Sequence, residues 1–186
     1  MVKMNVQRFF VGLCVLALLS ACTLTTSYGP YSGKVLDQQT GQPIEGAVVL
    51  VQFFTIFDGV EGQFNKYIEA VEVLTDGQGE FHVPSFRLWA VRFFHSWNPE
   101  VEIVIFKPGF AVYPHHPMIT AEKALPNQTL QIELPRVQGK MERFRNLGYA
   151  GAFDQWIIPE EKRKHITKCF REEQEYLELQ NNGASS

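Results

Sequence analysis

Between Ser32 and Phe54 the chain runs SGKVLDQQTGQPIEGAVVLVQFF, and the order of turn formers and apolar residues in this stretch decides the fold class. A short strand is expected over Gly33–Leu36. In the cluster Asp37-Gln38-Gln39-Thr40-Gly41, the Asp and Thr side chains can bond nearby backbone and Gly41 can take a positive φ. Pro43 fixes its own φ and drives Gln42 toward an extended conformation. Ile44 can plug a core, and Gly46 permits a bulge or a close backbone approach. Ala47–Phe54 is then an almost unbroken apolar strand.

Outward from this hairpin, strand and turn signals keep alternating. Thr55–Lys66 contains Asp58-Gly59 and Glu61-Gly62, too polar and glycine-rich for core, and predicts a long loop. Tyr67–Leu74 resumes as a strand. Thr75-Asp76-Gly77-Gln78-Gly79 is a strong turn signal, after which Phe81 and Val83 alternate with Glu80 and His82. Val101, Ile103 and Ile105 alternate up to the turn Lys107-Pro108-Gly109-Phe110, and Ala111–Tyr113 continues the pattern. Leu130-Gln131-Ile132-Glu133-Leu134 closes it with clean period-two alternation. About seven short strands separated by Gly and Pro turns predict an all-β sandwich.

The order G-x-V-x-D-x-x-T-G-x-P-I-x-G-A-x-V in this opening hairpin resembles carboxypeptidase regulatory-like domains. Thr75-Asp76-Gly77-Gln78-Gly79-Glu80-Phe81 resembles the family's second hairpin, and Lys107-Pro108-Gly109-Phe110 its turn into the next strand. The resemblance covers residues 31–136 and implies a seven-stranded, Greek-key, transthyretin-like (prealbumin-like) β-sandwich. One transthyretin-like branch hydrolyses 5-hydroxyisourate and carries a C-terminal Tyr-Arg-Gly-Ser signature. This chain closes instead on Asn182-Gly183-Ala184-Ser185-Ser186. In metallocarboxypeptidases the domain stands beside a zinc peptidase domain, of which this sequence shows no part. The resemblance therefore implies a non-catalytic module.

The N-terminus carries Lys3 and Arg8, an apolar run from Phe9 to Leu19, then Ser20-Ala21-Cys22. A basic region, a short apolar core and small residues before a cut make a secretory signal. The run is short of the ~20 residues that span a bilayer. Leu19-Ser20-Ala21-Cys22 resembles a bacterial lipobox, which implies cleavage after residue 21 and lipid attachment at Cys22; an ordinary signal peptide or a buried helix is the alternative. Several acyl chains, at about 0.8 kcal/mol per buried CH₂, would anchor the chain firmly. Thr23, rather than Asp, follows the cysteine, which by resemblance to enterobacterial sorting implies the outer membrane, with the domain facing the periplasm. Residues 22–30 are expected to form a flexible tether. Loss of residues 1–21 leaves 165 residues and, with Lys3 and Arg8 gone, takes the net charge from −3 to −5. Such a chain has no dense basic face and offers nucleic acid no electrostatic attraction. Cys169 would be the one remaining thiol, which excludes an intramolecular disulfide in the mature chain.

Two insertions and a tail depart from a minimal sandwich. In residues 85–98, SFRLWAVRFFHSWN, Phe86, Trp89, Phe93 and Trp97 recur at helical spacing among Arg87, Arg92 and His95. Trp89, Phe93 and Trp97 form a candidate contact patch for lipid, glycan or an envelope protein; capping one end of the core is the other use of such aromatics. Residues 114–126 hold His115-His116 between prolines and read as a rigid loop. Residues 137–186 form a helical extension: a short turn over Met141, Phe144 and Leu147 broken at Tyr149-Ala150-Gly151, then a helix opened by Pro159. On that helix Ile166, Cys169, Phe170, Tyr176 and Leu177 share a face, and the charged remainder is expected to be solvated. The sequence holds no nucleophile elbow, phosphate loop or dinucleotide fingerprint, and its histidines lack metal-ligand spacing. No cofactor or metal is expected. A small hydrolase would need His82, His115 or His116 to converge with loop carboxylates in one pocket; a carbohydrate-binding module would need two exposed, coplanar aromatics.

Overall fold

The computed structural model describes residues 24–60, 62–90, 95–120, 124–151 and 158–182. Cys22, the signal segment and Phe93 lie outside them. The described chain is mostly β, in several sheets, with a C-terminal helical part. Nine strands run in order: β1 Thr25–Tyr28, β2 Tyr31–Asp37, β3 Val48–Gly59, β4 Gly62–Leu74, β5 Glu80–Val83, β6 Phe86–Trp89, β7 His95–Trp97, β8 Glu102–Phe106 and β9 Thr129–Leu134. Helix α1 spans Lys140–Gly151, a 3₁₀ turn covers Glu160–Lys162, and α2 spans Lys164–Asn182.

Two strands organise the sheets. β2 lies between β5, antiparallel, and β9, parallel. β3 pairs along its length with β4, and its other edge serves β8 over Val48–Gln52 and β7 over Thr55–Phe57. β1 and β6 form a separate antiparallel ribbon.

The apolar run of β3 is explained by its surroundings. Successive strand side chains point to opposite faces. Val49, Val51 and Phe53 enter a core shared with Val35, Phe81, Val83, Leu130, Ile132 and Leu134 of the β2 sheet. Val48 and Leu50 point the other way, into a second core with Ala70, Val104, Phe106, Val112, Ile158 and Ile166. Leu147 and Tyr149 of α1 and Cys169 and Phe170 of α2 pack onto that second core. The Phe106 and Phe170 rings meet at 4.9 Å between centroids. Both faces of β3 are thus dry, which is why its sequence does not alternate.

The turn cluster behaves as its residues dictate. Asp37 is 3 % exposed. It accepts the Gln39 N–H at 3.0 Å, the Thr40 hydroxyl at 2.9 Å and, from 99 residues away, the Arg136 guanidinium at 2.8 and 2.7 Å. Burial alone would push the Asp37 carboxyl up, but these donors, Arg136 foremost, hold it below its ordinary value. Thr75 joins the two turns: its hydroxyl donates to the Ile44 carbonyl at 2.6 Å and accepts the Ala47 N–H at 2.8 Å. Asp76 Oδ1 accepts the N–H groups of Gln78 and Glu80.

Polar contacts seat the tail. Asn146 of α1, fully buried, accepts the Val112 N–H at 2.9 Å and donates to the Phe110 carbonyl at 2.8 Å. Glu72 of β4 accepts the His165 and Ile166 N–H groups at the start of α2, at 2.9 and 2.8 Å, satisfying donors a helix leaves open. Arg143 of α1 grips Glu173 of α2 through two bonds, at 2.5 and 2.6 Å.

Five expectations need correction. Thr55–Lys66 is no loop: β3 and β4 continue as a hairpin to Gly59 and Gly62, with Phe57 opposite Phe64 and Gln63 donating to Asp58 at 3.0 Å. It looks polar because it runs past the core. Phe86–Trp89 and His95–Trp97 are strands, with Leu88 inward and Trp89 outward, so the helical spacing of their aromatics is incidental. Residues 25–28 are strand β1 within the expected tether. α1 runs unbroken through Tyr149 to Gly151. Glu173 is buried although it lies among the charges assigned to solvent, because Arg143 meets it there.

Gly79 supplies a direct test of this turn packing. Its φ is +73°, and an added Cβ would stand 2.5 Å from the Val35 carbonyl oxygen and 3.0 Å from Pro43 Cβ. Gly79→Ala should lower stability by roughly 2–3 kcal/mol. Gly41→Ala, at φ +67° but with open space around it, should lose only about 1 kcal/mol. Denaturant melts of the two variants check the ranking.

Candidate functional site

One surface cleft, of about 390 Å³, joins the end of the β3 sheet to the 113–115 turn. The middle of β3 contributes Phe54, β4 contributes Asn65, the turn into β8 contributes Asn98, Glu100 and Val101, and β8 itself contributes Glu102 and Ile103. Tyr113-Pro114-His115 forms the opposite wall. The turn is braced from behind. Asn98 N–H donates to the Phe54 carbonyl at 3.0 Å, and its own carbonyl accepts the Tyr28 hydroxyl at 2.5 Å. His115 Nε2 stands 3.5 Å from Glu102 Oε1, both side chains half-exposed. An imidazole beside a carboxylate over an apolar floor can orient a polar ligand or relay a proton.

The other histidines lie elsewhere. His82 is exposed on β5 opposite Ser32, in a different hollow with Lys34 and Glu80. His116 is 5 % exposed; its Nδ1 accepts the Met118 N–H at 3.3 Å, and its ring stands edge-on to Tyr149 at 5.5 Å. His82, His115 and His116 therefore do not converge. Among the described residues, no group of three or more His, Cys, Asp or Glu is placed to hold a metal ion.

The aromatic patch divides. Trp89 is 64 % exposed on β6. Trp97 packs partly buried against the core, edge-on to Tyr28 at 6.5 Å. Phe93 lies outside the described residues. Cys169 is half-buried against the second core, and burial, with Glu172 nearby, pushes its thiol up; such a thiol is a poor nucleophile.

Sequence reading missed five side chains that bond across the fold: Arg136, Glu72, Arg143, Glu173 and Asn146. Each acts on a residue between 30 and 99 positions away, and no local pattern marks such a pairing. No protein-family model matches the chain, and comparison with curated proteins and with solved structures likewise finds no match.

Burial, only weakly offset by Glu142, holds His116 below its ordinary value. The folded state therefore takes up its proton less readily than the unfolded chain. The stability this contributes is complete above the unfolded value of about 6.5 and is lost as pH falls below it toward the folded value. Chemical denaturation should accordingly show wild-type stability declining below about pH 6.5, with a shallower decline in His116→Gln.

Proposed function

We propose that this chain is a lipid-anchored, non-catalytic protein of the bacterial envelope, held at the outer membrane through Cys22 and facing the periplasm, whose β domain serves as a binding or scaffold module. The observation that carries the reading is the junction between anchor and fold. Leu24, two residues beyond the lipobox-like cysteine, already accepts the Ala90 N–H at 3.0 Å. We take the domain as carboxypeptidase regulatory-like and transthyretin-like. Seven strands support this, with β2, β5 and β9 in one sheet and β3, β4, β7 and β8 in the other; β1 and β6 are an addition. The test compares wild type with Cys22→Ala by membrane fractionation and mass spectrometry of the N-terminal peptide. Wild type should fractionate with the outer membrane and start at an acylated Cys22. The variant should keep its signal segment and carry no acyl mass. Identical termini and distributions would contradict the reading.

A second reading rests on the His115–Glu102 cleft: a small polar ligand, such as a saccharide, bound or hydrolysed there. Thermal-shift measurement against a panel of oligosaccharides, on wild type and Glu102→Gln, addresses it. A ligand that raises Tm in wild type alone would favour this use of the cleft.

A further inference from the structure

We propose that the outward face of the β1–β6 ribbon is a membrane contact, lying in the headgroup layer of the bilayer that carries the anchor. The inference rests on acylation of Cys22. Its first support is reach. Only Thr23 separates Cys22 from Leu24, whose carbonyl is fixed by Ala90. Two residues span at most about 7 Å, so the ribbon's end stays that close to the acylated cysteine. Thr25, the next residue, pairs directly with Trp89. The fold thus keeps Trp89 next to the lipid rather than at the end of a long leash.

The second support is which side chains face out. In the register Thr25↔Trp89 and Ser27↔Arg87, these four residues are exposed, whereas Tyr28 and Leu88 turn into the core. The outward face therefore presents a tryptophan, an arginine and two hydroxyls, with no carboxylate among them. Tryptophan is favoured at the membrane interface, where its ring meets the acyl boundary and its N–H stays hydrated. Arginine pairs with lipid phosphates, and each basic residue near an anionic surface adds about 1 kcal/mol of attraction. The rest of the mature chain is net acidic, so a face with an arginine and no carboxylate is favoured over an acidic one against an anionic bilayer. Among the described residues β1 and β6 pair only with each other, and the exposure of Thr25, Ser27, Arg87 and Trp89 leaves that face open to a bilayer.

Full-length protein purified from membranes, with its N-terminus checked by mass spectrometry, would be reconstituted into phosphatidylglycerol-containing vesicles with plain or brominated acyl chains. The wild-type minus Trp89→Phe difference spectrum isolates the Trp89 emission. It should be blue-shifted on vesicles and lose intensity with brominated lipid. Arg87→Glu, with Trp89 intact, should reduce that loss. An N-terminus without acyl groups would refute the anchor and this contact together. An acylated chain whose Trp89 emission is the same in both vesicle types would refute the contact alone.

Discussion

The burial of β3 on both faces is the constraint on which the rest of the structure depends. Val48–Phe53 is essentially without solvent exposure, and alternate residues serve two different cores. One face requires the β2 sheet. The other requires α1 and α2, since Val48, Leu50, Val104 and Phe106 would otherwise form a bare apolar surface. At roughly 1.5–3 kcal/mol per large side chain, covering those four is worth on the order of 6–12 kcal/mol. That is comparable with the whole stability of an ordinary domain. The helical tail is accordingly a structural layer.

Apolar burial has no direction, so polar contacts fix where the helices lie. Glu72 holds the first turn of α2 to β4, and Asn146 gives α1 a two-bond seat on the 110–112 backbone. Arg143 then ties the helices together, with Glu173 on one side and the Tyr176 ring 3.7 Å beneath it. Glu173 depends on this pairing, because an unpartnered buried carboxylate is costly.

What could be read from the sequence was local chemistry. Asp37, Thr40 and Gly41 bond backbone or side chains within a few residues of themselves, and that part of the turn was legible residue by residue. Thr75–Gly79 was legible for the same reason. The 55–66 hairpin was not, because strand pairing beyond the core needs no apolar alternation and its glycines look like loop. The 85–98 segment misled because four large aromatics fit a helical period while Phe86 and Leu88 also fit a strand. Pairing of β6 with β1 and of β7 with β3 settles that choice. Of the site, the sequence left open whether Trp89 was surface or core, and the cleft was hidden: Asn65, Glu102 and His115 line one hollow only after β3, β4 and β8 assemble.

The short link between Cys22 and β1 fits the same economy. The sheets of β2 and β3, with α1 and α2 on the far face of β3, form the body of the domain, and the β1–β6 ribbon joins it through Tyr28 and Leu88. The most direct measurement of the central claim is native-state hydrogen–deuterium exchange across β3, α1 and α2. If the helices are a layer of the fold, their slowest amides should open with those of Val48–Gln52, in one cooperative unit. Helices that exchange freely while β3 remains protected would contradict the account.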